Sequence, residues 1–156
     1  MSLENTLLEI DDLKTYFYLE EGDVRAVDGV SFSMNRQEVV GVVGESGCGK
    51  SVLARSIMRI VQPPGETIEG NITYHKTTNS GTEKTELLSL PNNGQEIRKI
   101  RGGEIAMVFQ EPMVSFSPVH TIGNQIIEMI LLHNDVDKDE ARSQAISLLE
   151  KVGIPN

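Results

Sequence analysis

Apolar and polar residues alternate through the first part of the chain, and then the pattern changes. Leu8 and Ile10 flank a polar residue, Tyr16-Phe17-Tyr18-Leu19 is a second extended run, and Val24-Arg25-Ala26-Val27 follows the turn Glu20-Glu21-Gly22-Asp23. Val30, Phe32 and Met34 alternate strictly with Ser31, Ser33 and Asn35. This period of two predicts half-buried strands of an antiparallel sheet. Val39-Val40-Gly41-Val42-Val43 is instead continuously apolar, and Ile105-Ala106-Met107-Val108-Phe109 repeats the signature. Both predict strands covered on two faces, as in a parallel core.

Between these runs the period lengthens to that of a helix. Leu53, Ile57, Ile60 and Val61 form one stripe, broadened by Ala54 and Met58 and ended by Pro63-Pro64-Gly65. Ile68 to Tyr74 reads as an edge or hairpin strand. Residues 75–94 form a polar insertion with turns at Asn79-Ser80-Gly81 and Pro91-Asn92-Asn93-Gly94, and Ile97 with Ile100 predicts a short helix. The last stretch is helical: Ile122, Ile126, Ile127 and Ile130 share a face, and Ala141, Ala145, Leu148 and Val152 share another. Asp137 with Glu140 reads as a capping box, and Gly153 with Pro155 as a stop.

The junction of the first continuous apolar run with the first helix carries the chemistry. Gly44-Glu45-Ser46-Gly47-Cys48-Gly49-Lys50-Ser51 fits Gly-x-x-x-x-Gly-Lys-Ser/Thr, placed after a predicted strand and before a predicted helix. That context makes it a phosphate-binding loop. Its glycines allow a tight wrap with N–H groups turned inward, and the helix's first turn faces the same anion. Lys50 is placed for β- and γ-phosphates and Ser51 for Mg²⁺. The expected ligand is a nucleoside triphosphate.

Composition narrows the partners. The 156 residues hold 14 Lys and Arg against 23 Asp and Glu, a formal charge of −9. Nucleic-acid binding, which needs a basic stripe, is not expected. No apolar run approaches the ~18 residues of a membrane span, and the N-terminus lacks a signal-peptide pattern. Cys48, the one cysteine, sits inside the phosphate loop, where a small filler fits better than a catalytic thiol without a histidine beside it. His75, His120 and His133 show no metal-ligand spacing.

Two residues outside the loop are candidates by position. Gln110 follows a predicted core strand, where its amide oxygen can ligate Mg²⁺ or hold a water, or simply be solvated. Phe17 can stack on an adenine ring or pack on the sheet. After Lys50 no apolar strand ends in an acidic residue able to hold the metal through water, and no catalytic base can be named.

These residues resemble the N-terminal half of an ATP-binding-cassette ATPase, most closely the oligopeptide/dipeptide (and nickel) importer branch. The resemblance runs through Leu7 to Phe17, Val24 to Phe32, Gly41 to Ser51, Arg101-Gly102, Ile105 to Met113 and Pro118, and spans nearly the whole chain. It departs at Phe116-Ser117-Pro118, where the branch usually has Leu-Asn-Pro, and in the length of the polar insertion. The resemblance implies an α/β fold: a P-loop NTPase core of the ABC type with an antiparallel β subdomain. The expected parts are mainly antiparallel β over 1–38, phosphate loop, helix and following strand over 39–74, and the insertion with a short helix over 75–100. A core strand with the Q-loop over 101–120 and the start of the helical subdomain over 121–156 complete it. The sequence stops before the family's signature motif and Walker B pair, which leads us to expect a partial domain.

By the same resemblance Phe17 stacks on adenine, Gly44, Glu45, Ser46, Gly47, Cys48, Gly49, Lys50 and Ser51 bind phosphate, and Ser51 with Gln110 serves the metal. Lys50 and Gln110 are the implied catalytic residues. The implied cofactors are ATP and Mg, and the implied partners are membrane permease subunits and a second ATP-binding cassette. The implied location is cytoplasmic, peripheral to the inner face of the membrane. In the intact family ATP hydrolysis drives solute transport. A non-hydrolysing nucleotide-binding or regulatory module, and more remotely a small P-loop kinase, are the competing readings. Apolar strands deprived of neighbours would favour self-association of this chain.

Overall fold

Where the alternation predicts four short strands, the chain forms two long ones, β1 (Thr6–Leu19) and β2 (Gly22–Asn35). The computed structural model describes residues 5–78, 81–111 and 116–154. β3 (Gly65–Thr78) and β4 (Gly81–Glu86) complete an antiparallel sheet in the order β2-β1-β3-β4. A β-bulge explains why β1 reads as two pieces. Against β2, Ile10 pairs with Phe32 and Leu13 with Val30; against β3, Asp11 pairs with Asn71 and Lys14 with Glu69. Between these pairs both ladders count one extra residue on β1, and each partner strand makes it up at the next pairing step, Lys14 with Asp28 and Thr15 with Thr67. Asp12 turns there with φ 44°, and its N–H donates to Ser31 Oγ at 2.8 Å. The inward positions change from Leu8 and Ile10 to Leu13 and Thr15, all four buried.

The insertion at 75–94 is mostly ordered secondary structure. It continues β3 into the β3–β4 hairpin and a 3-10 turn at Leu87–Ser89 whose Leu87 is fully buried. Glu86 locks that turn: one carboxylate oxygen accepts from the N–H groups of Ile72 and Leu88, the other from the Thr73 hydroxyl. Asn79 and Ser80, the expected turn, lie outside the described residues, as do Pro112, Met113 and Pro155.

Helix α1 (Lys50–Ile57) buries Leu53 and Ser56. It is shorter than the apolar stripe predicts, because Arg59 turns with φ 53° before the prolines. Ile60 and Val61 therefore continue the stripe outside the helix.

The two continuous apolar runs do not become strands. Residues 38–45 and 106–109 join no ladder, and Ile105 makes only an isolated bridge with Arg101. Val39, Val43 and Val108 are 97%, 92% and 92% exposed. A strand exists through its paired backbone groups, and no ladder partner for these runs stands among the described residues.

The chain divides into two units, residues 1–98 and 99–156. α2 (Gln95–Gly103) is helical as far as Ile100, after which Arg101 and Gly102 leave helical geometry. Within the second unit, α3 (Ile122–His133) packs on α4 (Lys138–Lys151). Ile130, Ala141 and Ala145 are buried there, with Ile126, Ile127 and Val136 against them. Alanines four apart put little side chain in the way and let the helices approach. Asp137 caps α4 as expected, its carboxylate accepting from Asp139 and Glu140 N–H at 3.0 and 2.8 Å. Among the described residues no helix is long and apolar enough to cross a membrane.

Candidate functional site

The phosphate loop lies in the first unit, and its glycines are there for identifiable reasons. Gly47 and Gly49 have φ of 83° and 93°, left-handed values that favour glycine. Gly49 also stands against β2: a Cβ on it would lie 2.0 Å from the carbonyl oxygen of Ala26. Ala26 is itself skipped by the β1–β2 register, which passes from Thr15–Val27 to Tyr16–Arg25. A Cβ on Gly44 would lie 2.6 Å from Cys48 Sγ, so Cys48 fills the space that a residue without a side chain leaves. The thiol is exposed.

Lys50 closes the loop. Its Nζ donates to the carbonyls of Gly44 at 2.8 Å and Glu45 at 2.6 Å and stands 3.5 Å from Cys48 Sγ. Glu45 and Ser46 are exposed on the loop. No side chain caps α1, so no cap competes with a ligand for the N–H groups of its first turn. Ser51 exposes its side chain in that turn.

Phe17 faces the same space. A cavity of about 410 Å³ is lined by Phe17 on β1, Val24, Arg25 and Ala26 on β2, and Gly47 to Val52 on the loop and α1. An adjoining cavity of about 270 Å³ shares Ala26, Cys48, Gly49 and Lys50 and adds Asp28 and Val43. Tyr16 is held differently. Its hydroxyl donates to Asp28 Oδ1 at 2.6 Å, and the Arg25 guanidinium lies over its ring at 5.4 Å. The Asp28 carboxylate, holding that proton, pushes the Tyr16 pKa above its ordinary value. Of the two adjacent aromatics, Phe17 is the one that lines the cavity.

The geometry thus brings together Phe17, Gly47, Cys48, Gly49, Lys50 and Ser51, with Gly44 and Glu45 joined through Lys50. Gln110 belongs to the second unit, exposed at a bend after residues 106–109. The β2 wall was missed as part of the site by sequence reasoning. Its one cue was Arg25, a cation in an acidic chain. Among the described residues no three His, Cys, Asp or Glu side chains converge as a metal cage. A divalent cation at this cavity would therefore rely on the Ser51 hydroxyl and on oxygens brought by the ligand.

Known proteins resemble this chain in sequence and in fold. The family model described as "ABC transporter" matches residues 27–156. The oligopeptide transport ATP-binding protein AppD of Bacillus subtilis is 45% identical over 150 residues, covering 96% of this chain and 43% of that protein. The dipeptide transport ATP-binding protein DppD of Escherichia coli is 40% identical over 158 residues, again covering 96% and 43%. The chain thus spans less than half the length of these relatives. Among solved structures, the dimeric bacterial ABC transporter cassette MJ0796 superposes with a TM-score of 0.71 at 20% identity. That match covers 92% of this chain and 56% of the cassette. At that identity the likeness speaks for the fold alone: an ABC cassette, about half of it. With a phosphate loop of this geometry inside a family match over most of its length, the chain belongs to the ABC transporter family.

Proposed function

We propose that the chain binds ATP with Mg²⁺ as the nucleotide-binding part of a peptide importer's ATP-binding subunit. The observation that carries this reading is the shared cavity, in which one aromatic ring and the phosphate loop border the same space. A flat base needs a π-face, and a polyphosphate needs amides and a cation; Phe17 offers the first and Gly44 to Ser51 the second. The ammonium of Lys50 exchanges the carbonyls of Gly44 and Glu45 for the β- and γ-phosphate oxygens. Ser51 contributes a hard, neutral oxygen suited to Mg²⁺, which neutralises phosphate charge when bound.

The relatives' names, oligopeptide and dipeptide transport ATP-binding proteins, support permease subunits and a second cassette as partners. By the family resemblance, the proposal extends to a place at the cytoplasmic face of the membrane and to hydrolysis coupled to solute transport. The net charge of −9 argues against a nucleic acid. The exposed valines at 39, 43 and 108 favour association, with another copy or with further cassette structure.

Titration calorimetry with Mg-ATP tests the reading. The unmodified chain should bind saturably, and Lys50→Ala should bind at least about tenfold more weakly, as loss of a charge-assisted contact predicts. Equal affinities in two folded proteins would reject it.

A further inference from the structure

Thr15 and Ser56 are fully buried polar residues of the first unit, and they touch. Thr15 Oγ1 lies 2.8 Å from Ser56 Oγ and 3.0 Å from Thr67 Oγ1, and Ser56 Oγ lies 2.8 Å from the carbonyl oxygen of Val52. Proton counting gives these contacts a direction. Ser56 has one hydroxyl proton and must donate it to Val52, because a carbonyl only accepts. Ser56 therefore accepts from Thr15. Thr15 has then used its proton and accepts from Thr67. The relay runs Thr67 to Thr15 to Ser56 to the Val52 carbonyl, from β3 through β1 into the first turns of α1.

Both ends of the nucleotide cavity hang on this relay. Val52 lines the cavity and follows Lys50 and Ser51 directly. Phe17 stands two residues beyond Thr15 on the same face of β1, along a regular ladder in which Thr15 pairs with Thr67 and Phe17 with Gly65. We propose that Thr15 is a positioning residue for nucleotide binding: through Ser56 it fixes the distance between the Phe17 ring and the phosphate loop. The proposal rests on the ATP reading above. An apolar residue in this place would pack as well but would leave α1 unregistered along β1. A directed hydrogen bond specifies one position.

The test compares ATP with inorganic triphosphate, titrated into the full 156-residue chain and into its Thr15→Val, Thr15→Ser and Ser56→Ala variants, each first checked for native circular dichroism. Thr15→Val should weaken ATP about three- to tenfold, the effect of a stacking contact moved off its optimum. Triphosphate, which has no base, should stay within about twofold. Thr15→Ser should restore ATP binding. Ser56→Ala should shift the ratio in the same direction and carries the test should Thr15→Val not fold. An unchanged ratio in the folded variants, equal losses of both ligands, or a Thr15→Ser variant that behaves like Thr15→Val overturns the proposal. If the unmodified chain binds neither ligand, the ATP reading itself falls; if it binds both and the ratio does not move, only the positioning role falls.

Discussion

The ring of Phe17 occupies the space where a side chain on Gly65 would stand. The two residues are paired across β1 and β3. A Cβ on Gly65 would lie 2.5 Å from Phe17 Cε1 and 2.8 Å from Val61 Cγ1. The glycine is thus a seat for the ring, which lines the cavity from that place.

Gly65→Ala should push the Phe17 ring away and spoil its face for a base. ATP affinity should fall about three- to tenfold while triphosphate affinity holds. A competition assay with a fluorescent ATP analogue measures the first and calorimetry the second. Equal ATP binding in wild type and variant would mean that the ring is not used.

Removing the ring itself should cost more. Phe17→Ala should weaken ATP by roughly 1–3 kcal/mol, the usual worth of a base stacked on an aromatic. Tyr16→Phe, which removes only the hydroxyl bonded to Asp28, should leave both ligands unaffected. If Tyr16→Ala, which removes the neighbouring ring, loses ATP and Phe17→Ala does not, the two aromatics have been assigned the wrong way round.

The loop glycines should differ in their tolerance. Gly47 has φ 83° and open space around it, whereas Gly49 combines φ 93° with a Cβ position 2.0 Å from the Ala26 oxygen. Gly47→Ala should lower affinity modestly, through backbone strain of about 1 kcal/mol or a little more. Gly49→Ala must move either the loop or β2 and should abolish triphosphate binding. Comparable binding by the two alanine variants would show that the loop is not held against Ala26.

A second glycine pair separates stability from binding. Gly70 has φ 106°, and a Cβ there would meet Leu13 Cα at 2.6 Å and the Asp12 oxygen at 2.7 Å, while Gly81, with φ 129°, has nothing within 4 Å. Gly70→Ala should lower unfolding stability by about 2 kcal/mol or more, and Gly81→Ala by about 1. Urea denaturation followed by circular dichroism reads both. The prediction fails if Gly81→Ala proves the more damaging.

Catalysis should lag behind binding. The larger cavity has no carboxylate among its lining residues, and the Asp28 carboxylate of the adjoining one already accepts from the Tyr16 hydroxyl. Transition-state stabilisation needs contacts beyond a ground-state grip. Phosphate release by the purified chain should stay below about 1 s⁻¹, the low end of common enzyme rates. Faster turnover that disappears in Lys50→Ala would show that another residue supplies the base.

The phosphate loop was legible because its chemistry is local: glycines, lysine and serine at fixed spacing, with predicted strand and helix on either side. The α3 and α4 faces and the Asp137 cap were legible for the same reason. What sequence reading missed depends on registration between distant segments. The Asp12 bulge breaks the alternation of β1, so one strand looked like two. Polarity made residues 75–94 look like a loop, although they contain much of a hairpin whose hydrogen bonds ask little of side-chain composition. Val39 to Val43 read as a buried strand because composition encodes a preference for burial, while pairing needs a partner. Thr15 and Ser56 carried no signal, since a buried hydroxyl is spelled like an exposed one.

The bulge at Asp12 also bears on how this strand can vary over evolutionary time. Losing one residue between Ile10 and Leu13 would restore strict alternation along β1, with Leu8, Ile10, Leu13, Thr15 and Phe17 all keeping the face they now share. Losing two would turn every later side chain over, putting Tyr16 and Tyr18 on the face that Phe17 now occupies. Across descendants of this sequence, gaps at that place should come in odd numbers, and an even one should be accompanied by an aromatic that has moved one place along the chain.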